Sequence, residues 1–141
     1  MSNIRKYKCD LPPALDLEDS KSYDKEVAAI KAKSMADKKE ELAEIKALTD
    51  KYRGSIEIFV DAFQDEFDRA GQELILYSYA PYLDMFLPKG TDMKLWIAAY
   101  TRTLTLPKSY TEYYIWQYSA KGKVAGIPTN VDMNVSKLPL F

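Results

Sequence analysis

Leu11-Pro12-Pro13-Ala14-Leu15-Asp16-Leu17-Glu18-Asp19 is the run on which the reading of this chain turns. Acidic and apolar residues alternate in it directly after a Pro-Pro entry. A strand sends alternate side chains to opposite faces. Asp16 and Glu18 then share one face, and Leu15 and Leu17 share the other. Two neighbouring carboxylates at a strand end suit acid–base chemistry, because each disfavours ionisation of the other.

Outward from this run, Ser22 to about Arg53 is rich in Lys, Glu and Ala and reads as helix. Val27, Ile30, Leu42, Ile45, Leu48 and Tyr52 draw its apolar stripe at helical spacing. The polar stretch Lys33–Lys39 is either a bend between two helices or the exposed middle of one. Gly54-Ser55 is expected to break the pattern, with Ser55 capping a second amphipathic helix that carries Ile58, Phe59, Ala62, Phe63, Phe67 and Ala70. Gly71 is the expected stop.

The second half changes character. Glu73–Ser78, Met93–Tyr100, Tyr113–Tyr118 and Asn130–Val135 read as short strands, and Gly122–Pro128 as a loop. Near-continuous apolar strands predict burial on both faces, as in a parallel sheet covered by helices. Tyr77, Tyr100, Gln117 and Asp132 fall at strand ends, where an α/β barrel carries its chemistry. Trp96 and Tyr100, four apart, are expected on one strand face.

Composition removes several mechanisms. The 141 residues contain no histidine, which excludes Ser-His-Asp and Cys-His catalysis and His-containing metal sites. One cysteine, Cys9, excludes an internal disulfide and a Cys-cluster metal site. Twenty basic residues nearly balance 21 acidic ones, so the formal charge of −1 leaves no electrostatic footprint for nucleic acid. Basic residues near the N-terminus have no apolar segment behind them, so no secretory signal is read. No apolar stretch approaches the roughly 18 residues that span a membrane. No cofactor is implied.

Five blocks in order carry a family resemblance. They are Leu11–Glu18, Leu74-Ile75-Leu76-Tyr77-Ser78, Leu95–Tyr100, Ile115-Trp116-Gln117-Tyr118-Ser119, and Gly122–Ile127 followed by Asn130–Asn134. Together they resemble the glycoside hydrolase family 25 lysozymes, the Chalaropsis type common in bacteriophage endolysins. That resemblance implies an irregular eight-stranded barrel with few helices late in the chain. It casts Glu18 as general acid at the bond between N-acetylmuramic acid and N-acetylglucosamine, Asp16 as the carboxylate beside it, and Asp132 as the acid of the last strand. Tyr77, Trp96, Tyr100 and Gln117 become candidates to line the sugar groove. The implied substrate is the peptidoglycan glycan strand.

The chain also departs from the family. Nothing in it matches the early strands or their active-site Asp. The expectation is therefore a partial (β/α) barrel of the TIM type, about the last five of eight strands. Residues 1–141 form one incomplete catalytic domain, with about 22–53 as a helical insertion. Five strands cannot close an eight-stranded barrel, and open edges pair, so a complementing N-terminal lysozyme half or a homo-oligomer is expected. The expected setting is a phage or prophage product, made in the host cytoplasm without a signal peptide and acting on the wall after release or within a virion. The competing reading is a catalytically inactive structural or wall-binding module that retains a lysozyme half-fold.

Overall fold

The computed structural model describes residues 12–33 and 37–137. Cys9 and the centre of the polar stretch, residues 34–36, lie outside them. Five strands form one sheet in sequence order: β1 (Ala14–Asp16), β2 (Ile75–Tyr79), β3 (Lys94–Ala98), β4 (Ile115–Gly122) and β5 (Val131–Ser136). The first four run parallel, and β5 returns antiparallel to β4. Three helices join them: α1 (Lys21–Ala32), α2 (Lys38–Arg69) and α3 (Ala80–Phe86).

Register assigns the faces. Asp16, Tyr77 and Trp96 lie side by side, as do Leu15, Leu76 and Leu95. The leucine face is the core. Leu15, Leu17, Leu76, Leu95 and Ile97 pack there with Val60 and Phe67 of α2 and Leu83 and Phe86 of α3. The helices cover this face, whereas the opposite face carries the polar and aromatic side chains of the strands. Two-sided cover by helices, expected from the apolar runs, is therefore replaced by one helix-covered face and one functional face.

The charged region supplies two helices, α1 and α2, that pack antiparallel. Tyr23 shares a hydrogen bond with Thr49, Tyr52 donates to Glu26, and Lys33 pairs with Glu44. Tyr23 and Tyr52 also meet Phe86, which fixes the hairpin to α3. Asp37 caps α2 by accepting from the Lys39 amide at 2.8 Å.

The expected break at Gly54-Ser55 does not occur, because α2 runs through it. Ser55 caps nothing; its hydroxyl donates back to the Lys51 carbonyl one turn earlier. The stop at Gly71 is present. With φ +65°, Gly71 closes a pair of bonds in which its own amide reaches Asp68 and the Gln72 amide reaches Phe67.

Two boundaries differ further. The strand expected to reach Tyr100 ends at Ala98, and β4 extends to Gly122 into the segment read as loop. Helix α3 follows β2 directly, with Pro81 in its first turn, where a missing amide hydrogen does no harm.

Candidate functional site

The acids at the end of β1 are held through the residue between them. Strand pairing stops at Asp16, opposite Tyr77. Leu17 is buried in the core, and its backbone is gripped twice. Its amide donates to the Tyr77 carbonyl at 2.9 Å, and its carbonyl accepts from the Ser78 hydroxyl at 2.5 Å. The extended course thus continues past the strand end, leaving Asp16 and Glu18 exposed on the opposite side.

Beside them lies an aromatic floor. Tyr77 meets Trp96 edge to face, ring centres 5.2 Å apart. The Tyr77 hydroxyl donates to Gln117 Oε1 at 2.6 Å, and the Trp96 indole donates to Asn134 Oδ1 at 2.9 Å. Each bond passes over an intervening strand, so side chains from β2 to β5 are tied into one surface. Gln117 is only 3% exposed, so its side-chain oxygen needs that donor. On β5, Asp132 lies two residues from Asn134 and shares its face. The β4–β5 register shifts between Gln117 and Ser119 and again between Ser119 and Gly122, a bulged stretch that sets where Asp132 falls.

The charges of the site act on one another. Partial desolvation raises the pKa of Glu18, and Asp16, Asp132 and Asp19 raise it further. Burial, followed by the fields of Glu18, Tyr100, Asp16 and Asp132, pushes the Tyr77 phenol up to about 12. Tyr100 is raised by burial and then by Asp132 and Glu18. Glu18, Asp16, Asp132, Tyr77 and Tyr100 thus form one electrostatic cluster. A carboxyl with a raised pKa retains a proton it can donate.

Two cavities meet at Glu18. One, of about 540 Å³, is walled by Tyr77, Tyr79, Pro81, Tyr100 and the threonines at 101, 103 and 105. The other, of about 520 Å³, is lined by Asp16, Asp19, Ser20 and Lys21. Of the site residues singled out from sequence, Glu18, Tyr77 and Tyr100 line the first cavity and Asp16 and Glu18 the second. Asp132 joins them through its field, Gln117 through its bond to Tyr77, and Trp96 through its ring contact with Tyr77. Trp96 and Tyr100 do not share a strand face, however: Trp96 belongs to β3, while Tyr100 lies beyond its end and is 60% exposed.

Asn134, Tyr79 and the threonine wall were not singled out. Asn134 was findable by its two-residue spacing from Asp132. Alternating threonines at 101, 103 and 105 gave a weak signal. Among the described residues, no group of three His, Cys, Asp or Glu side chains is placed to hold a metal ion. No described helix is long and apolar enough to cross a membrane.

Comparison with known proteins bears on the fold. The spore cortex lytic enzyme SleM of Clostridium perfringens superposes over 94% of this chain and 38% of its own, with 23% identity and a TM-score of 0.55. A family 25 glycosyl hydrolase from Bacillus anthracis does so over 93% of this chain and 52% of its own, with 20% identity and a TM-score of 0.54. At these identities the likeness concerns the fold. The chain spans 28% to 52% of the lengths of the solved structures it matches. No curated protein matches it. The family described as Glycosyl hydrolases family 25 matches residues 1–127. With that match over most of its length, and with a mostly parallel α/β sheet that places its acids at one rim, the chain belongs to glycoside hydrolase family 25.

Proposed function

We propose that this chain is part of a muramidase that cleaves peptidoglycan between N-acetylmuramic acid and N-acetylglucosamine. One observation carries the reading: Glu18 stands where two cavities meet, with its pKa raised by its surroundings. A glycosidic bond laid across that point has one sugar on each side and a proton donor between them. Glycoside hydrolysis needs such a donor and a second group at the anomeric carbon. Glu18 protonates the leaving oxygen. Asp16, its neighbour on the same face, orients or stabilises the group that attacks, and Asp132 adds negative charge from the facing strand. Tyr77, Trp96, Tyr100 and Gln117 line the sugar path.

The sheet is further proposed to be part of a TIM-like barrel. Its acid-bearing face and its two outer strands, β1 and β5, suit closure by additional strands. Those strands come from a complementing lysozyme segment or from a second copy. A phage or prophage lysin is the setting we favour.

The test is the clearing of Gram-positive cell-wall suspensions by wild type and Glu18→Gln, alone and with a candidate complementing segment. Clearing that disappears in the variant supports the muramidase. A well-folded wild type that clears nothing under either condition sinks it and leaves a non-catalytic wall module.

A further inference from the structure

We propose that Ser78 is the positioning residue for Glu18, its hydroxyl fixing the Leu17–Glu18 peptide plane from the face of the sheet opposite the acids. The inference rests on the reading of Glu18 as the acid. Ser78 is fully buried among apolar side chains. A buried hydroxyl in such a place must find a partner, and it donates to the carbonyl of Leu17. That carbonyl belongs to the peptide bond whose nitrogen is Glu18. The bond is planar, so holding its oxygen holds its nitrogen and the course of the chain into the Glu18 Cα.

The position of the bond explains why a side chain makes it. Regular pairing of β1 with β2 ends at Asp16 and Tyr77. The Leu17 amide still reaches the Tyr77 carbonyl, but β2 gives way to α3 at Ala80. The Ser78 hydroxyl supplies the donor for the Leu17 carbonyl at this point. Tyr77 and Ser78, adjacent on β2, thereby clasp both polar groups of one residue, and Tyr77 also forms the floor of the site. The groups facing Glu18 are Asp16 on β1, Asp19 after it, Tyr77 on β2, Tyr100 after β3 and Asp132 on β5. The Ser78 hydroxyl bonds to the Leu17 carbonyl and not to any of these side chains, so it acts on Glu18 through the backbone.

The decisive measurement is a carboxyl NMR titration of the full chain, with the Glu18 signal assigned by its loss in Glu18→Gln. Ser78→Ala and Ser78→Cys remove or weaken the donor at similar volume, and Ser78→Thr retains it. In the Ala and Cys variants the Glu18 midpoint falls toward that of an ordinary glutamate, because the freed carboxyl turns to water, and in Thr it stays at the wild-type position. In wall clearing the Ala and Cys variants lose about tenfold or more of the maximal rate, the scale expected when a reacting group is misplaced. A folded Ala or Cys variant whose Glu18 titrates as in wild type overturns the proposal, as does a Thr variant that shifts as Ala does. If wild type clears no walls, the muramidase reading fails, and the titration still decides the role of Ser78.

Discussion

Tyr77 and Gln117 meet across β3, the phenol donating to the buried amide oxygen at 2.6 Å over the strand that separates them. The bond gives Gln117 its partner and the aromatic floor its tilt. Tyr77→Phe leaves a buried acceptor without a donor, at a cost of about 1–3 kcal/mol, read as a lower urea midpoint. The same phenol makes stability depend on alkaline pH. It is raised from 10.0 to about 12, so the native state keeps a proton that the unfolded chain releases, and stability falls as pH rises through that interval. Tyr110 is raised to about 12 as well. Absorbance titration of Tyr77→Phe should therefore lose one tyrosine from the late-ionising phase, to which the raised phenols of Tyr52, Tyr82, Tyr100 and Tyr110 still contribute. An unchanged late phase contradicts the assignment.

Glu18→Gln should stabilise the fold while removing activity. Partial desolvation, Asp16, Asp132 and Asp19 disfavour the charged carboxylate. The native state binds the proton more tightly than the unfolded chain, so stability contributed by the protonated form is lost as pH rises past the ordinary glutamate value. A neutral amide avoids that loss. Thermal unfolding should show a higher midpoint for the variant at pH 7 and a vanishing gain near pH 3. A variant no more stable at pH 7 argues against a strained acid.

Gly54→Ala should stabilise α2. The residue sits inside a continuous helix, and a Cβ there meets nothing within 4 Å. Glycine in a helix interior costs about 0.5–1 kcal/mol relative to alanine. Denaturant titration should return a gain of that size with an unchanged slope. A loss would mean that the helix bends at this point.

Gly122→Ala should damage the site from a distance. A Cβ would come within 2.2 Å of Met133 Cγ and 2.9 Å of the Val131 carbonyl. Both neighbours belong to β5 and flank Asp132. Overpacking of this kind costs about 1–3 kcal/mol, and relief requires β5 to move. The check is a urea midpoint together with the Glu18 titration, which should lose the part of its shift due to Asp132.

Much of the fold was legible because local chemistry and tertiary role agree. The run from Leu74 is apolar enough to be only a buried strand, and the alternation from Leu15 to Glu18 separates core from site by itself. Gly71 stops α2 through its backbone conformation, a property of the residue alone. Gly54 was misleading because a glycine ends a helix only where the chain also turns. There α2 is held on both sides, by Arg53 bonding to the Met85 carbonyl and by Val60 buried in the core. Helix α3 was missed because seven residues give too little periodicity, although Pro81 marked its first turn. The partnership of Trp96 with Asn134 spans 38 residues. It depends on strand register and on the bulges of β4, which no local pattern announces.

The uninterrupted α2 has a consequence for access. Its 32 residues reach about 48 Å, against about 17 Å for a five-residue strand. Its C-terminal part descends along the sheet to the start of β2, and its N-terminal part, braced by α1, rises past the end where Glu18 stands. The hairpin is therefore a parapet on one side of the rim. On the proposed reading, a glycan strand that reaches Glu18 has the hairpin on one side of its path.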